Sequence, residues 1–173
     1  MNYEIFGDFP LLRQPGKKGV DSGTRRDLRA TLEATRPGLS SAVGCYVFGV
    51  RASRGTVPWY VGKTCMQGFS QECLEPHKLN HYNDVLYAKE RGTPVLYLVA
   101  RMTPGGKFSA SMPATEARFL ESMLIGMALQ RNKGLRNIVH TKFLQQLHVP
   151  GLVNPTKGPP RGTVADFKRM IGA

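Results

Sequence analysis

The chain is poor in acidic residues. Its 173 residues include 24 lysines and arginines but only 12 aspartates and glutamates, so the formal net charge is +12 at pH 7. An imbalance of this sign is typical of proteins that bind a polyanion, and nucleic acid is the leading class of partner. Charge alone indicates a class of partner and no chemistry, because basic proteins of many kinds share it.

Cysteines and long apolar runs are also scarce. The three cysteines, Cys45, Cys65 and Cys73, are odd in number and form no disulfide framework, which fits a reducing compartment. No apolar run approaches the length of a membrane span, and the first residues lack the basic and apolar regions of a secretory signal. We therefore expect a cytoplasmic protein with no membrane partner.

Local patterns predict several strands and helices. Residues 45–50 and 59–61 are rich in aromatic and β-branched residues and flank turn chemistry at 51–58, which predicts a β-hairpin. Residues 93–101 form a continuously apolar run, which is typical of a central strand covered on both faces. Residues 7–23 are rich in glycine and proline and predict a loosely ordered arm.

Helical spacing of apolar residues appears at four places. It predicts a short helix from Thr24 to Glu33, a helix that begins near Pro76, a long helix from Pro113 to Gln130 and a terminal helix over 164–171. Residues 139–149 are consistent with a short strand or helical turn. No internal repeat is present.

Two tyrosines lie beside glycines in short apolar runs. Tyr46 belongs to Gly-Cys-Tyr-Val (44–47), and Tyr60 belongs to Trp-Tyr-Val-Gly-Lys (59–63). Each match alone is weak, since strand tyrosines are usually ordinary half-buried aromatics. Together the two runs resemble the signature of the GIY-YIG nuclease superfamily.

The resemblance implies an α+β fold with a small three-stranded antiparallel sheet flanked by helices, in the order strand, strand, helix, strand, helix. It spans residues 42–140, which leaves an N-terminal arm and short helix (1–41) and a C-terminal extension (141–173). It also implies a metal-dependent endonuclease that hydrolyses DNA, with both phenols facing one phosphodiester. No zinc finger, helix-turn-helix or Gly-rich phosphate loop is recognisable, and we expect no small-molecule cofactor.

The family carries a metal-binding glutamate on the long helix, followed by a downstream asparagine. Glu121 matches, with isoleucine four residues later and Asn137 beyond it; Asn137 is expected to hold the site or contact phosphate. A single hard carboxylate suits Mg²⁺, for which Mn²⁺ should substitute.

Glu116 is the rival ligand, although its place in the first helical turn suits the helix dipole. Asn132 is the rival asparagine, and either could simply form a turn.

One expected residue is missing. Family members carry an arginine one helical turn before a histidine, and no arginine lies between Lys63 and Arg91. The nearest counterparts are His77 and His81, which are spaced i, i+4, with Lys78 as the positive charge that contacts nucleic acid. Lysine lacks the bidentate geometry of arginine on phosphate, so weakened or lost catalysis is an open alternative.

The implied mechanism uses a tyrosine as general base. Tyr46 would take the proton from water, with Lys63 lowering its pKa, and Tyr60 would hydrogen-bond water or phosphate. Metal on Glu121 would act as a Lewis acid.

Other readings use the same features. Cys73, His77 and His81 would share a face of an unbroken helix and could bind zinc, although Pro76 interrupts that face and Cys65 is the only further ligand. A GIY-YIG-like module that binds nucleic acid without catalysis is a second hypothesis. A basic accessory protein with coincidental tyrosine motifs is a third.

Overall fold

The computed structural model describes residues 1–21, 23–88, 91–137, 141, 146 and 162–171. The chain divides into two units, Met1–Asn137 and Ile138–Ala173. The second unit contains a helix, α5 (Gly162–Ile171), where a terminal helix was predicted. The element predicted over 139–149 lies largely outside the described residues. The elements of the first unit, in chain order, are β1 (Asn2–Pro10), α1 (Thr24–Thr35), a 3-10 turn (Leu39–Ser41), β2 (Gly44–Ala52), β3 (Gly55–Thr64), α2 (Phe69–Glu72), α3 (Pro76–Ala88), β4 (Thr93–Met102) and α4 (Ala114–Arg131).

The first unit is built on one antiparallel sheet with the strand order β1-β4-β2-β3. The predicted α+β class is confirmed, and the hairpin, the central strand β4 and the long helix α4 lie where the sequence placed them. The predicted number of three strands was wrong, because residues 2–10 add a fourth strand at the edge of β4. This segment is mostly exposed and weakly patterned, so its strand structure depends on the unpaired edge that β4 offers.

Side-chain alternation divides the sheet into two covered faces. Tyr46 and Phe48 point to one face, where α1, α2 and α3 pack, and we call this the α1–α3 face. Cys45 points to the other, where Ala117 and Leu120 of α4 pack, and we call this the α4 face. Successive residues of one strand therefore contribute to two separate clusters.

The helices follow local signals. Pro76 occupies the first turn of α3, as predicted, since its missing N–H lies among those with no intrahelical partner. Within α1, Leu28 and Leu32 are buried one turn apart against the sheet. Among the described residues, no helix combines the length and the apolar character needed to cross a membrane.

Candidate active site around strand β3

Tyr46 lies against the glycine of the second motif. It pairs with Gly62 across the β2–β3 ladder, and its side chain is 0% exposed. A β-carbon added at Gly62 would lie 2.3 Å from Cζ of Tyr46. The two halves of the sequence motif therefore form one contact, in which only glycine leaves room for the phenol ring.

The Tyr46 hydroxyl is buried and makes no hydrogen bond of ordinary geometry to any described residue. Burial raises the pKa of Tyr46 well above its ordinary value of 10.0, and the nearby Tyr82, Cys73 and Tyr60 raise it further. The expectation that Lys63 lowers the pKa of Tyr46 was wrong, because Lys63 lies opposite Cys45 and projects to the α4 face.

Tyr60 forms a compact cluster with two residues of α3. Nζ of Lys78 donates to the Tyr60 hydroxyl over 3.2 Å, and the His81 ring stacks on the Tyr60 ring with centroids 5.2 Å apart. Tyr60 is 8% exposed and belongs to the buried cluster of the α1–α3 face. A phenol, an ammonium and an imidazole thus share one position on this face.

Glu72 completes the charge balance of this cluster. Its Oε1 lies 3.6 Å from Nζ of Lys78. Burial lowers the pKa of Lys78, but the interactions with Tyr60 and Glu72 outweigh it, so the pKa is raised and the ammonium is charged at neutral pH. Burial also raises the pKa of Glu72. The sequence did not point to Glu72, because its spacing from Lys78 crosses the boundary between α2 and α3.

The two predicted histidines differ in environment. Burial lowers the pKa of His81 below its ordinary value of 6.5, with a partly opposing contribution from Asp84. His81 is therefore largely neutral at pH 7 and can accept a proton. His77 is 60% exposed, and its Nδ1 lies 3.5 Å from Oε2 of Glu75. Of the two, His81 is the histidine that joins the tyrosine cluster.

Lys63 and Glu121 meet on the α4 face. Nζ of Lys63 lies 2.5 Å from Oε2 of Glu121, and the side chains are 31% and 14% exposed. Cys45 lies beside this pair: burial raises the pKa of its thiol to about 12, Glu121 adds to the rise and Lys63 opposes it. Glu121 thus lies on the α4 face, and the sheet separates it from both phenols, which lie on the α1–α3 face.

Glu116, the rival ligand, joins three elements. Its Oε1 accepts hydrogen bonds from the Tyr3 hydroxyl at 2.5 Å and from Nε of Arg101 at 3.0 Å. The hydrogen bond from Arg101 is the main reason that the pKa of Glu116 is lowered. Glu116 therefore connects α4 to β1 and β4, which is a structural role.

Both asparagines bind the backbone of β3. Asn137 Nδ2 donates to the Val61 carbonyl at 2.6 Å, and the Val61 N–H donates to Asn137 Oδ1 at 2.8 Å. The side-chain amide of Asn137 thus satisfies both backbone hydrogen-bonding groups of Val61, as a neighbouring strand would. Asn132 donates to the Pro58 carbonyl at 2.8 Å and accepts from the N–H of Gly134. Each asparagine holds the segment after α4 along the outer edge of β3.

The donor groups of the described residues limit which metal ions the site could hold. In the described ranges, no three His, Cys, Asp or Glu side chains come close enough to hold one ion. The zinc reading is contradicted for Cys73, His77 and His81, since Cys73 is enclosed in the core while His77 is exposed. Glu121 fits Mg²⁺ as a single protein ligand, with water and phosphate completing the coordination.

No family model, curated protein or solved structure matches this chain.

Proposed function

We propose that this chain is a Mg²⁺-dependent DNA endonuclease of the GIY-YIG type. One observation carries the proposal: four consecutive residues of β3 each contact another predicted site residue. Tyr60 contacts Lys78 and His81, and the remaining contacts join Val61 to Asn137, Gly62 to Tyr46 and Lys63 to Glu121. Titratable and polar groups gathered on one short segment are typical of functional sites.

The geometry favours Tyr60 over Tyr46 as the reacting phenol. Tyr46 is sealed in the core and its pKa is raised, so its proton is held tightly. Tyr60 is also largely buried, at 8% exposed, but its oxygen lies 3.2 Å from the Lys78 ammonium, which stabilises negative charge on that oxygen. In this proposal Tyr60 takes the proton from water and Lys78 neutralises charge on the phosphate.

Glu121 is the residue that would hold the metal. Lys63 contacts Oε2, and within the described residues Oε1 makes no hydrogen bond. Mg²⁺ bound there would supply Lewis-acid stabilisation of charge at the phosphate. Lys63 orients the carboxylate and contributes a second positive charge on the α4 face.

The test is cleavage of supercoiled plasmid and of single-stranded DNA with and without Mg²⁺ or Mn²⁺. Glu121→Gln should abolish metal-dependent cleavage and leave DNA binding intact, since it removes a ligand and no positive charge. Glu116→Gln is the matched control, because Glu116 lies on the same helix and also pairs with a cation. Wild-type cleavage by the Glu121 variant refutes the metal assignment, and loss of cleavage only in the Glu116 variant transfers it to Glu116.

A second candidate function is binding of nucleic acid without hydrolysis. It is favoured by the ion pair that already neutralises Glu121 and by the sealed position of Tyr46. DNA binding with no cleavage in either metal, at any pH at which the protein stays folded, would establish this alternative.

A further inference from the structure

A cleft lined with arginines opens between α1 and α2, outside the contacts described so far. Its volume is about 600 Å³, and its lining residues are Gly23, Arg25, Arg26, Arg29, Ser70 and Gln71. No acidic residue is among them. Side-chain hydroxyl and amide groups of α2 face three guanidinium groups of α1, which is the donor chemistry that phosphate oxygens accept.

The charged side chains of the three arginines are exposed to solvent. All three are exposed, and Arg26 has only a distant acidic neighbour, since its Nε lies 3.9 Å from a carboxylate oxygen of Asp27. That contact is weak at such exposure. Arg25 is oriented by a hydrogen bond of 2.7 Å from Nη2 to the Leu74 carbonyl, and its other donors are not used in that bond.

The position of these charges on α1 is unfavourable for the isolated helix. Arg25 and Arg26 lie in the first turn, where the helix dipole repels cations, and Asp27 is the only acidic residue there. A bound anion reverses this penalty, because the dipole and the guanidinium groups then act on it together.

The cleft adjoins the tyrosine cluster through α2. Gln71 lines the cleft, and the next residue, Glu72, contacts Lys78, which donates to Tyr60. The short helix α2 therefore lies between the cleft and the tyrosine cluster.

We infer that the cleft formed by Arg25, Arg26, Arg29, Ser70 and Gln71 binds the phosphodiester backbone of DNA, independently of base sequence. The cleft would position the substrate of the proposed nuclease. The inference rests on that function only in taking the bound polyanion to be DNA. Phosphate contacts of this kind set register and orientation and carry no sequence information.

The experiment is fluorescence anisotropy of labelled duplex and single-stranded DNA with the full chain in EDTA, at several salt concentrations. The variant Arg26→Gln/Arg29→Gln is chosen because neither side chain makes a structural hydrogen bond in the described residues. The matched control, Arg54→Gln/Lys107→Gln, removes the same charge from other exposed positions. We expect the arginine pair to lower affinity by about tenfold or more near 0.1 M salt and to reduce the salt slope by roughly two. The control should change affinity by less than about threefold.

A second variant keeps the positive charge at both positions. Arg26→Lys/Arg29→Lys should keep most of the affinity, which shows that the glutamine variant loses binding through charge and not through misfolding. Equal losses in the glutamine variant and its matched control would overturn the inference, as would no loss in the glutamine variant. The inference would also be overturned if the glutamine variant lost binding to anionic phospholipid vesicles but kept its binding to DNA.

Because no metal is present, these measurements are independent of cleavage. A chain that binds DNA through this cleft but never cuts it leaves the inference standing and the nuclease proposal refuted. If the protein cuts DNA and the arginine substitutions do not weaken DNA binding, the nuclease proposal stands and this inference is refuted.

Discussion

The phenol ring of Tyr46 lies directly on the α-carbon of Gly62. A β-carbon at position 62 would lie 2.3 Å from Cζ and 2.4 Å from the hydroxyl oxygen, closer than any non-bonded contact permits. The pair joins β2 to β3 on the face that also carries Tyr60 and Lys78. The glycine of the second motif is therefore a packing requirement of the tyrosine of the first.

Replacing Gly62 by alanine should destabilise the fold. The added methyl group would displace the buried ring, an overpacking effect that costs about 1–3 kcal/mol or more. Urea denaturation measures the free energy of unfolding. Gly126→Ala is the control, since it lies within α4 with nothing within 4 Å, and it should stabilise the protein by about 0.5–1 kcal/mol. Unchanged stability of the Gly62 variant would mean that the ring does not occupy this position.

Replacing Tyr46 by phenylalanine should change stability little, because the buried hydroxyl lies near the Tyr82 hydroxyl but makes no hydrogen bond of ordinary geometry to a described residue. Tyr82→Phe is the comparison, since the Tyr82 hydroxyl donates to the Cys73 carbonyl at 2.9 Å in the same core. That variant should lose about 0.5–1.5 kcal/mol. Chemical denaturation of both variants gives the answer, and a larger loss for the Tyr46 variant would contradict the burial of an unpaired hydroxyl.

Changing Asn137 to aspartate should destabilise the first unit by about 1–3 kcal/mol, because the carboxylate cannot donate to the Val61 carbonyl. The same loss should appear as faster hydrogen exchange of amides along β3. Asn80→Asp, at an exposed position of α3, introduces the same charge and should shift stability by less than about 0.5 kcal/mol. Similar losses in the two variants would assign the effect to charge instead of to the contact with Val61.

Stability should depend on pH through His81. Burial lowers its pKa, so the folded chain binds a proton there less readily than the unfolded chain does. His81 therefore contributes a loss of stability as the pH falls below its ordinary value of 6.5, and the loss is complete once the pH is below the folded pKa. Lys78, His77 and Arg136 also disfavour the charged form, and Asp84 favours it.

The measurement is urea denaturation of wild type and His81→Gln from roughly pH 5 to 8. The difference between the two unfolding free energies should fall with pH below 6.5. Glu72 contributes with the opposite sign at lower pH, because its raised pKa makes the folded chain bind protons more readily. This contribution is present in both proteins and cancels in the difference to first order. A difference that is constant across the range would show that the pKa of His81 is the same in both states.

Much of the fold could be predicted from local pattern. Aromatic and β-branched content marked β2 and β3, a continuous apolar run marked β4, and apolar spacing with Pro76 and Pro113 marked α3 and α4. Strand β1 could not be predicted, since its residues are mostly exposed and its hydrogen bonds depend on the free edge of β4. The number of strands is thus a property of the assembled sheet.

The sequence proposed the residues of the candidate site, but it could not predict how they are arranged. Tyr60, Lys78 and His81 come together as one cluster, and Lys63 reaches Glu121, from which it is separated by 58 positions. Glu72 was missed, because its contact with Lys78 arises only when α2 turns into α3. His77 was named by sequence spacing and lies at the surface.

The amino-acid sequence by itself determined the local elements, the excess of positive charge and the pairing of tyrosine motifs with glycine, because these depend on neighbours along the chain. Only the tertiary structure decided which face of the sheet each side chain occupies. Alternation on β3 sends Tyr60 toward α3 and Lys63 toward α4, and burial then raises the pKa of Tyr46 on the first face while an ion pair fixes Glu121 on the second. Register and packing across the sheet, which no local pattern encodes, set the chemistry that each group can perform.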